Sequence, residues 1–249
     1  MSTPTATPAQ PLTRRARQRQ ATVAEIKTLA RRQLAEAGPG ALSLRAIARE
    51  MGTASSALYR YFASYHELIS ALCADAYAAA ADALTEARDT QPADDPARQW
   101  WAICHAQRHW ALDNPADFAL IFGTPIPGYQ APPEVTGPPA GRYAAVPATI
   151  YAAAVEAGAA DPDRTQVPAT TRRGDGLADL LGAAAAHYPP RHVGILLNAL
   201  ASLRGYLMGE IFGSLTQLIA DPDQLYAAHV RTLMTGMGFD PTHIDTPAS

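Results

Sequence analysis

A run of side chains that can donate hydrogen bonds lies between residues 53 and 61 of the chain. The apolar residues of this segment are few, chiefly Leu58 with Phe62 four positions later. Hydroxyl groups and the arginine fork donate to phosphate oxygens, and small residues let a helix approach base edges closely. The pattern therefore predicts recognition of a nucleic acid. The candidate residues are Thr53, Ser55, Ser56, Tyr59, Arg60 and Tyr61.

A second arrangement has the spacing of a metal site. His105 and His109 are four positions apart with Cys104 beside the first, and such a pair on one helix can hold zinc. The metalloprotease pattern requires Glu directly after the first His, and Ala106 stands there. The sequence also contains no Gly-x-Ser-x-Gly nucleophile motif. We therefore interpret the histidines as ordinary helical residues and expect no metal, no cofactor and no enzyme activity.

Two short helices joined by a tight turn would position the first set of side chains. Leu44, Ile47, Ala48 and Met51 have the i, i+3, i+4, i+7 spacing of one helix face, and Ser43 before them is the expected N-cap. Gly52 can take the left-handed conformation of a sharp turn, and the next helix starts near Ala54 or Ser55. This pattern is typical of a helix-turn-helix, whose second helix enters the major groove of DNA.

A longer helix follows at once. Ser64 and Glu67 are three positions apart, which predicts a capping box: Ser64 accepts from the Glu67 amide, and the Glu67 side chain returns to the Ser64 amide. We expect this helix to run from Tyr65 to about Arg88. Ser43, Arg45 and Tyr65 complete the candidate DNA-binding residues around the turn.

At these residues the chain resembles the TetR family of bacterial transcriptional regulators. The resemblance covers about Ala21 to Ala74 and rests on an alanine-rich helix ending AEAG, the segment LSLRAIAREMG, and ALYRYF with Ser and an acidic residue after it. The family usually has Val-Ser where Thr53-Ala54 stands here, so Thr53 or Ser55 would have to replace the missing cap. It usually has Lys where this chain has Tyr65, which offers a hydroxyl and no charge.

The charge of the chain is unevenly distributed. Residues 1–70 contain ten Lys and Arg against four Asp and Glu, although the whole chain has a net charge of −3. This asymmetry indicates a polyanionic partner for the N-terminal part alone. We predict residues 1–19 to be a disordered basic arm that lies in the adjacent minor groove. A solvated charged face is the alternative. The arm's candidate residues are Arg14, Arg15, Arg17 and Arg19.

Abundant alanine and scarce β-branched runs predict an all-α protein of about nine helices. We divide the chain into a three-helix DNA-binding domain (20–66), a larger helical ligand-binding and dimerisation domain (67–240) and a flexible tail (241–249). Six prolines between Gly123 and Gly141 predict a long loop. The last two helices are expected at about 190–218 and 221–237.

The sequence favours a cytoplasmic protein that does not enter a membrane. The N-terminus has no apolar segment of the signal-peptide kind, and Asn198, Arg204 and Glu210 interrupt the most apolar stretch, Val193 to Ala220. Cys73 and Cys104 lie in helical patterns, where free thiols are small buried hydrophobes. We interpret the apolar stretch as a buried interface helix.

The second half resembles the C-terminal domain of one branch of TetR regulators. The similar segments are HWALDNPADFALIFGTPIPGY and LRGYLMGEIFGSL, in which Arg204 replaces a histidine of that branch. The resemblance implies a homodimer formed by the last two helices of each subunit. Its candidate seam is a stripe of small residues at four-residue spacing, with packing inside one chain as the alternative: Ala201, Gly205, Gly209 and Gly213.

The same domain is rich in aromatic residues, which line ligand cavities and also form ordinary cores. From the resemblance we expect a cavity for a small, largely apolar effector. Its candidate lining residues are Trp101, His105, Arg108, Phe118, Phe122, Tyr151, Tyr206 and Glu210. The sequence thus predicts a homodimeric repressor that binds a palindromic operator and is released by a small molecule. A helical small-molecule-binding or interaction module with vestigial DNA binding is the alternative.

Overall fold

A computed structural model describes residues 13–38, 42–123, 125–172, 174, 176–177, 188–215 and 217–240. The predicted tail, 241–249, and residues 1–12 of the predicted arm lie outside these ranges. Within them the protein is all-α, as predicted, with a short 3-10 turn at Pro162–Arg164. The helices are α1 (Arg14–Ala37), α2 (Leu44–Glu50), α3 (Ser55–Leu58), α4 (Tyr65–Asp89), α5 (Pro96–Asp113), α6 (Pro115–Phe122), α7 (Pro133–Glu156), α8 (Pro190–Ile211) and α9 (Pro222–Gly236).

The chain divides into two compact units, Met1–Leu68 and Ile69–Ser249. The first unit contains α1, α2, α3 and the first turn of α4. Its core is made of apolar side chains at helical spacing, each almost completely withdrawn from solvent: Ile26, Ala30, Leu44, Ile47, Ala48, Leu58 and Phe62. The apolar face predicted for α2 is therefore the one that the unit buries.

The first helix starts earlier than the sequence predicted. Thr13 caps α1, since its hydroxyl accepts from the Ala16 amide at 3.2 Å, and the helix begins at Arg14. The prediction of a disordered arm is wrong for Arg14, Arg15, Arg17 and Arg19, which are helical. Arginine, glutamine and alanine are strong helix formers, and with a threonine cap they extend the helix through the basic cluster.

The sequence predicted that prolines would keep residues 123–141 out of a helix, but part of this segment belongs to α7. The expected loop from 123 to 141 ends at Pro132, and Pro138, Pro139 and Pro147 lie inside the helix. Pro133 occupies its first turn, where a missing N–H is harmless. The later prolines lose backbone hydrogen bonds, but the helix buries a long face against α5 and α8 that outweighs the local preference. Tertiary packing thus decides the secondary structure here.

The last long helix is shorter than predicted. α8 ends at Ile211 rather than Leu218, and Gly213 follows it with a φ of +80°. The chain then folds back, because the Leu215 amide and the Ser214 hydroxyl both donate to the Gly209 carbonyl, at 3.1 and 3.0 Å. Gly213 therefore does not extend the small-residue stripe of α8.

A buried ion pair joins two helices of the second unit. The guanidinium of Arg108 on α5 donates to both carboxylate oxygens of Glu210 on α8, at 2.6 to 3.1 Å. Both side chains are more than nine-tenths buried. Arg108 also contacts Asp223 at the start of α9, at 2.8 Å, but that carboxylate is 84% exposed. One arginine thereby ties α5, α8 and α9 together.

By length and mean hydropathy, one helix in the described ranges could cross a membrane. This helix is α4, whose most apolar window of 18 residues has a mean hydropathy of 1.3. Half of that window is buried inside the protein. Length and composition alone are a weak indication of a span, and core helices pass the same test. The stretch Val193 to Ala220, predicted as a buried interface helix, is helical only as far as Ile211, where α8 ends.

We predict that Glu210→Gln lowers the free energy of unfolding by about 3 kcal/mol, because it removes the only buried carboxylate that pairs with the buried Arg108 charge among the described residues. The matched control is Asp223→Asn, which removes the exposed partner of the same arginine and should change stability by less than about 0.5 kcal/mol. Urea unfolding followed by circular dichroism measures both. Equal losses in the two variants would contradict this account of the pair.

Candidate functional site

The helix-turn-helix is built by the local signals that the sequence contains. The Ser43 hydroxyl accepts from the Ala46 amide at 3.3 Å and caps α2, as predicted. The Ser43 amide in turn donates to Gln33 on α1 at 2.9 Å. Gly52 adopts a φ of +65°, so the predicted left-handed turn is present. The turn between α2 and α3 is therefore fixed by backbone geometry.

The cap of α4 differs from the prediction in one bond. The Glu67 amide donates to the Ser64 hydroxyl at 3.1 Å, as expected. The Glu67 carboxylate accepts from the Ala63 amide, at 2.5 Å, and not from the Ser64 amide. The carboxylate still satisfies a free N–H at the start of α4, one residue earlier in the chain.

The exposed face of α3 carries the donors that the sequence singled out. α3 is a single turn whose only buried residue is Leu58. Its N-cap is Ala54, which provides no side-chain hydrogen bond, so neither Thr53 nor Ser55 replaces the cap. The side chains of the turn, of α3 and of the residues after it remain accessible. Arg45, Thr53, Ser56, Tyr59 and Arg60 are exposed, and Ser43, Ser55, Tyr61 and Tyr65 are half-buried.

A basic cleft of about 870 Å³ lies beside α3, between its C-terminal end and the first turns of α1. Arg19 on α1 holds the two sides together: its guanidinium donates to the Arg60 carbonyl at 3.4 Å and lies 5.1 Å from the centre of the Tyr61 ring. Four guanidinium groups line the cleft, and none of its lining residues is acidic. The lining residues are Thr13, Arg14, Arg15, Ala16, Gln18, Arg19, Arg60 and Tyr61.

The basic cleft is suited to phosphate. Clustered guanidinium groups attract a polyanion and donate bidentate hydrogen bonds to phosphate oxygens. Arg17, predicted with the others, is exposed but does not line the cleft. Burial raises the pKa of Tyr65, so its hydroxyl stays neutral and can only donate or accept a hydrogen bond. Sequence reasoning missed Thr13 and Gln18 as lining residues. They lie beside the cleft because α1 begins at Arg14.

The candidate effector residues fall into separate contact groups in the second unit. Trp101 and His105 have ring centres 4.6 Å apart, and Tyr206 joins them through the ring of Tyr226, at 5.4 Å. Phe118 and Phe122 contact each other at 5.1 Å in a different group. The candidate residues therefore belong to more than one contact group.

Three of the candidate residues have structural roles of their own. Arg108 and Glu210 form the buried ion pair, and the hydrogen bonds that Arg108 donates to the Glu210 carboxylate raise the pKa of Arg108. Tyr151 is buried apart from the other candidates and donates to the Met237 carbonyl at 3.0 Å. These polar groups satisfy one another, so they are poor candidates for binding a further molecule.

The spacing that suggested zinc leads to a different environment. Burial, with the nearby His109 and Arg108 charges adding to it, lowers the pKa of His105 to about 4. Burial also raises the pKa of the Cys73 thiol to about 11 and that of Cys104 further. Cations beside a buried imidazole oppose the binding of another cation. In the part of the chain that the structure describes, no group of three His, Cys, Asp or Glu side chains could hold a metal.

A cluster that sequence reasoning missed surrounds Arg204 on α8. Its guanidinium lies 4.5 Å from the centre of the Phe122 ring and 5.9 Å from that of Tyr143. Tyr77 contacts both rings, at 5.9 and 6.1 Å. The sequence showed only that Arg204 stands where a family histidine is usual. The members of this cluster come from four helices, so no spacing within one helix could have indicated it.

An open cleft of about 720 Å³ lies elsewhere in the second unit. Its walls are the segment 164–171, the N-terminal half of α8 and the C-terminal half of α9. None of the eight candidate effector residues lines it. Gly194 is one of its lining residues, and a Cβ there would lie 2.9 Å from the Val167 side chain, so α8 approaches this segment closely.

The candidate dimer residues do not form one continuous face. Ala201 and Gly205 are exposed, and a Cβ added at Gly205 would meet no other atom within 4 Å. A Cβ at Gly209 would lie 3.0 Å from the Leu215 side chain of the turn after α8. Packing inside one chain therefore accounts for Gly209. An exposed stripe does continue toward the N-terminus through Leu197, which is 54% exposed.

Two family profiles match the chain. One, described as bacterial regulatory proteins of the tetR family, covers residues 26–72. The other, described as a tetracyclin repressor-like C-terminal domain, covers residues 100–233. The first match contains the helix-turn-helix, and the second extends over most of the large helical unit.

Curated relatives are named as HTH-type transcriptional regulators. Mb1846 of Mycobacterium bovis and Rv1816 of Mycobacterium tuberculosis are each 50% identical to this chain over 113 residues. The matched segment is 45% of this chain and 48% of each relative. The chain thus spans about half the length of the curated relatives it matches.

Solved structures share the fold. The regulatory protein SCO4313 superposes with a TM-score of 0.69 and 35% identity, over 90% of this chain and all of that one. A bacterial regulatory protein of the tetR family from Rhodococcus RHA1 gives a TM-score of 0.58 at 18% identity, over 88% of this chain and 97% of that one. The second likeness concerns the fold alone.

We predict that Arg60→Ala weakens binding to duplex DNA of any sequence and flattens the salt dependence. Losing one phosphate contact reduces the slope of log K against log salt by about 0.9. Fluorescence anisotropy at several salt concentrations measures the slope. Arg88→Ala is the matched control, since Arg88 ends α4 in the second unit and pairs with Asp89. An unchanged slope in Arg60→Ala would exclude a phosphate contact.

Proposed function

The chain belongs to the TetR family. We propose that it is a DNA-binding transcriptional regulator, a homodimeric repressor released from a palindromic operator by a small effector. The observation that carries this proposal is the basic cleft beside the exposed donors of α3. A protein that uses the arginines of α1 for phosphate can use α3 for base edges. We infer that it works in the cytoplasm, where its DNA is.

The DNA-binding face divides into two roles. Arg14, Arg15, Arg19 and Arg60 line the basic cleft and would contact phosphate, which gives affinity without sequence preference. Ser56 and Tyr59 are exposed on and just after α3 and would reach base edges in the major groove. The side chains that position the protein on the DNA backbone and those that read the base sequence would thus be neighbouring but different.

The dimer would form through the outward faces of α8 and α9. On α8 the exposed residues Leu197, Ala201 and Gly205 are four apart and leave a smooth stripe for a second helix. On α9 the residues Ala228, Thr232 and Thr235 are exposed and also small. When α8 and α9 of two subunits pack together through these faces, they form a four-helix dimer interface. The two recognition helices of a dimer would then read half-sites about 34 to 36 Å apart.

Release by an effector requires a difference in affinity between two conformations. A small molecule that binds the second unit shifts the equilibrium only if it prefers the conformation that cannot span both half-sites. α4 is the covalent route for such a change, since it begins in the DNA-binding unit and continues into the second one. The effector would enter among the aromatic side chains of the second unit.

The experiment that tests this function is a fluorescence-anisotropy titration of the full chain. The probe is the intergenic DNA flanking the protein's own gene, compared with a scrambled duplex at two salt concentrations. We expect salt-sensitive binding that prefers the native fragment by roughly 10³ or more. Weak and equal binding to both duplexes would overturn the repressor and favour a helical interaction module with vestigial DNA binding.

We further predict that Gly205→Leu converts the dimer to a folded monomer. The position is open within one chain, so a leucine there obstructs only a second helix against the stripe. Sedimentation velocity measures the mass, and circular dichroism measures the fold. Gly137→Leu is the control: it adds the same side chain to a helical glycine of α7 that also has open space around it. A Gly205→Leu variant that sediments as a dimer would place the seam elsewhere.

A further inference from the structure

The Arg204 guanidinium lies among aromatic rings, and no carboxylate of the described residues pairs with it. Several other arginines of the second unit pair with carboxylates, as Arg108 does with Glu210 and Arg142 with Asp82. In the described ranges no carboxylate lies within ion-pair distance of Arg204, whose contacts are the faces of Phe122 and Tyr143. Its Nε atom is buried and has no hydrogen-bond partner. Rings attract a cation but do not satisfy its N–H groups.

Two further buried groups lie near Arg204. The Tyr143 side chain is 1% exposed and the Gln107 side chain 2% exposed, and within the described residues neither the Tyr143 hydroxyl nor the Gln107 Nε2 makes a hydrogen bond of normal length and angle. Burial raises the pKa of Tyr143, while the Arg204 charge and polar interactions with Arg204 and Gln107 oppose that rise, so the three groups are close together. All three groups can donate hydrogen bonds: the arginine Nε, the amide nitrogen and the phenol hydroxyl. Buried donors without acceptors are unusual in native proteins, and each requires an explanation.

The side chains around these donors are mainly aromatic rings. Tyr77, Phe122 and Tyr143 contact one another with ring centres 5.5 to 6.1 Å apart. Phe118, which is fully buried, contacts Phe122 on its other side. A molecule satisfying the donors would therefore carry its acceptors at one end and an apolar body at the other.

We propose that Arg204, Gln107 and Tyr143 form the acid-recognising end of the effector site and that the effector is an organic carboxylate. This inference rests on the effector response proposed above and specifies the chemistry of that site. A carboxylate accepts from a guanidinium and has oxygens left for the amide and the phenol, so one group satisfies all three donors. The carboxylate also supplies a negative charge to pair with the positive charge of Arg204. The rings of Phe122 and Tyr77 contact the apolar body.

The donors belong to different helices, which connects binding to conformation. Gln107 lies on α5, Tyr143 on α7 and Arg204 on α8, while Tyr77 lies on α4 and Phe122 ends α6. A carboxylate that bonds to the first three fixes the spacing of three helices at one point. It can therefore favour one arrangement of the second unit over another, as release from DNA requires.

The test is isothermal titration calorimetry of the full chain with benzoate and octanoate, each compared with its neutral amide. We expect the acids to bind at least tenfold more tightly than the amides. Arg204→Gln should reduce the acid-to-amide ratio to about one. Arg142→Gln, which removes the same charge from a surface ion pair on α7, should leave the ratio unchanged.

Tyr143→Phe gives a second and milder variant. It removes only a buried hydroxyl that makes no hydrogen bond of normal length and angle with the described residues, so the protein should fold normally while acid affinity falls several-fold and amide affinity does not. Equal affinities for acid and amide in the unmodified protein, or no binding of either acid, would overturn the proposal. So would an Arg204→Gln variant that keeps the preference. Each of these results leaves operator binding intact, whereas loss of specific DNA binding is the failure of the proposed function.

Discussion

The Arg108–Glu210 pair is the interaction on which the second unit depends. Its bidentate geometry fixes the rotation and the height of α8 against α5, and Asp223 adds the start of α9. A buried ion pair is satisfied only when both side chains meet in one geometry, so it restricts the packing more than apolar contacts do. With α8 held there, one face carries Arg204 among the aromatic rings and another carries Ala201 and Gly205 toward solvent. The proposed effector site and the proposed dimer face thus lie on the same helix.

Local signals predicted the first unit well. Ser43, Gly52 and Ser64 are a cap, a left-handed turn and another cap, and each acts through backbone groups within a few residues of itself. The sequence did not predict the start of α1, where a threonine cap and helix-forming arginine, glutamine and alanine extend the helix through the basic cluster. It also did not predict the N-terminal part of α7, from Pro133 to Gly141, where burial of the helix against α5 and α8 outweighs its prolines. Propensity is a weak guide wherever a long apolar face can be buried.

The candidate site divides in the same way. The donors around α3 could be identified from the sequence because they are adjacent in the chain, and they remain exposed in the fold. The effector residues could not, since membership of a cluster depends on which helices meet. Trp101 and Phe122 are equally aromatic, yet their rings contact different neighbours, His105 and Tyr143. The sequence showed that Arg204 was unusual for its position, but only the fold showed that none of the described carboxylates pairs with it.

The smallness of α3 has a consequence for how the regulator could acquire new targets. Leu58 is the one residue of this helix that the core requires, and no side-chain cap constrains its start. The surrounding structure is held by Gly52, by the cap of α4 and by Arg19 bonding to the Arg60 carbonyl. Residues 53, 55, 56 and 59 can therefore be exchanged with little effect on folding. Under the proposed function, substitutions at these positions during divergence or directed evolution would change operator preference while the fold is retained.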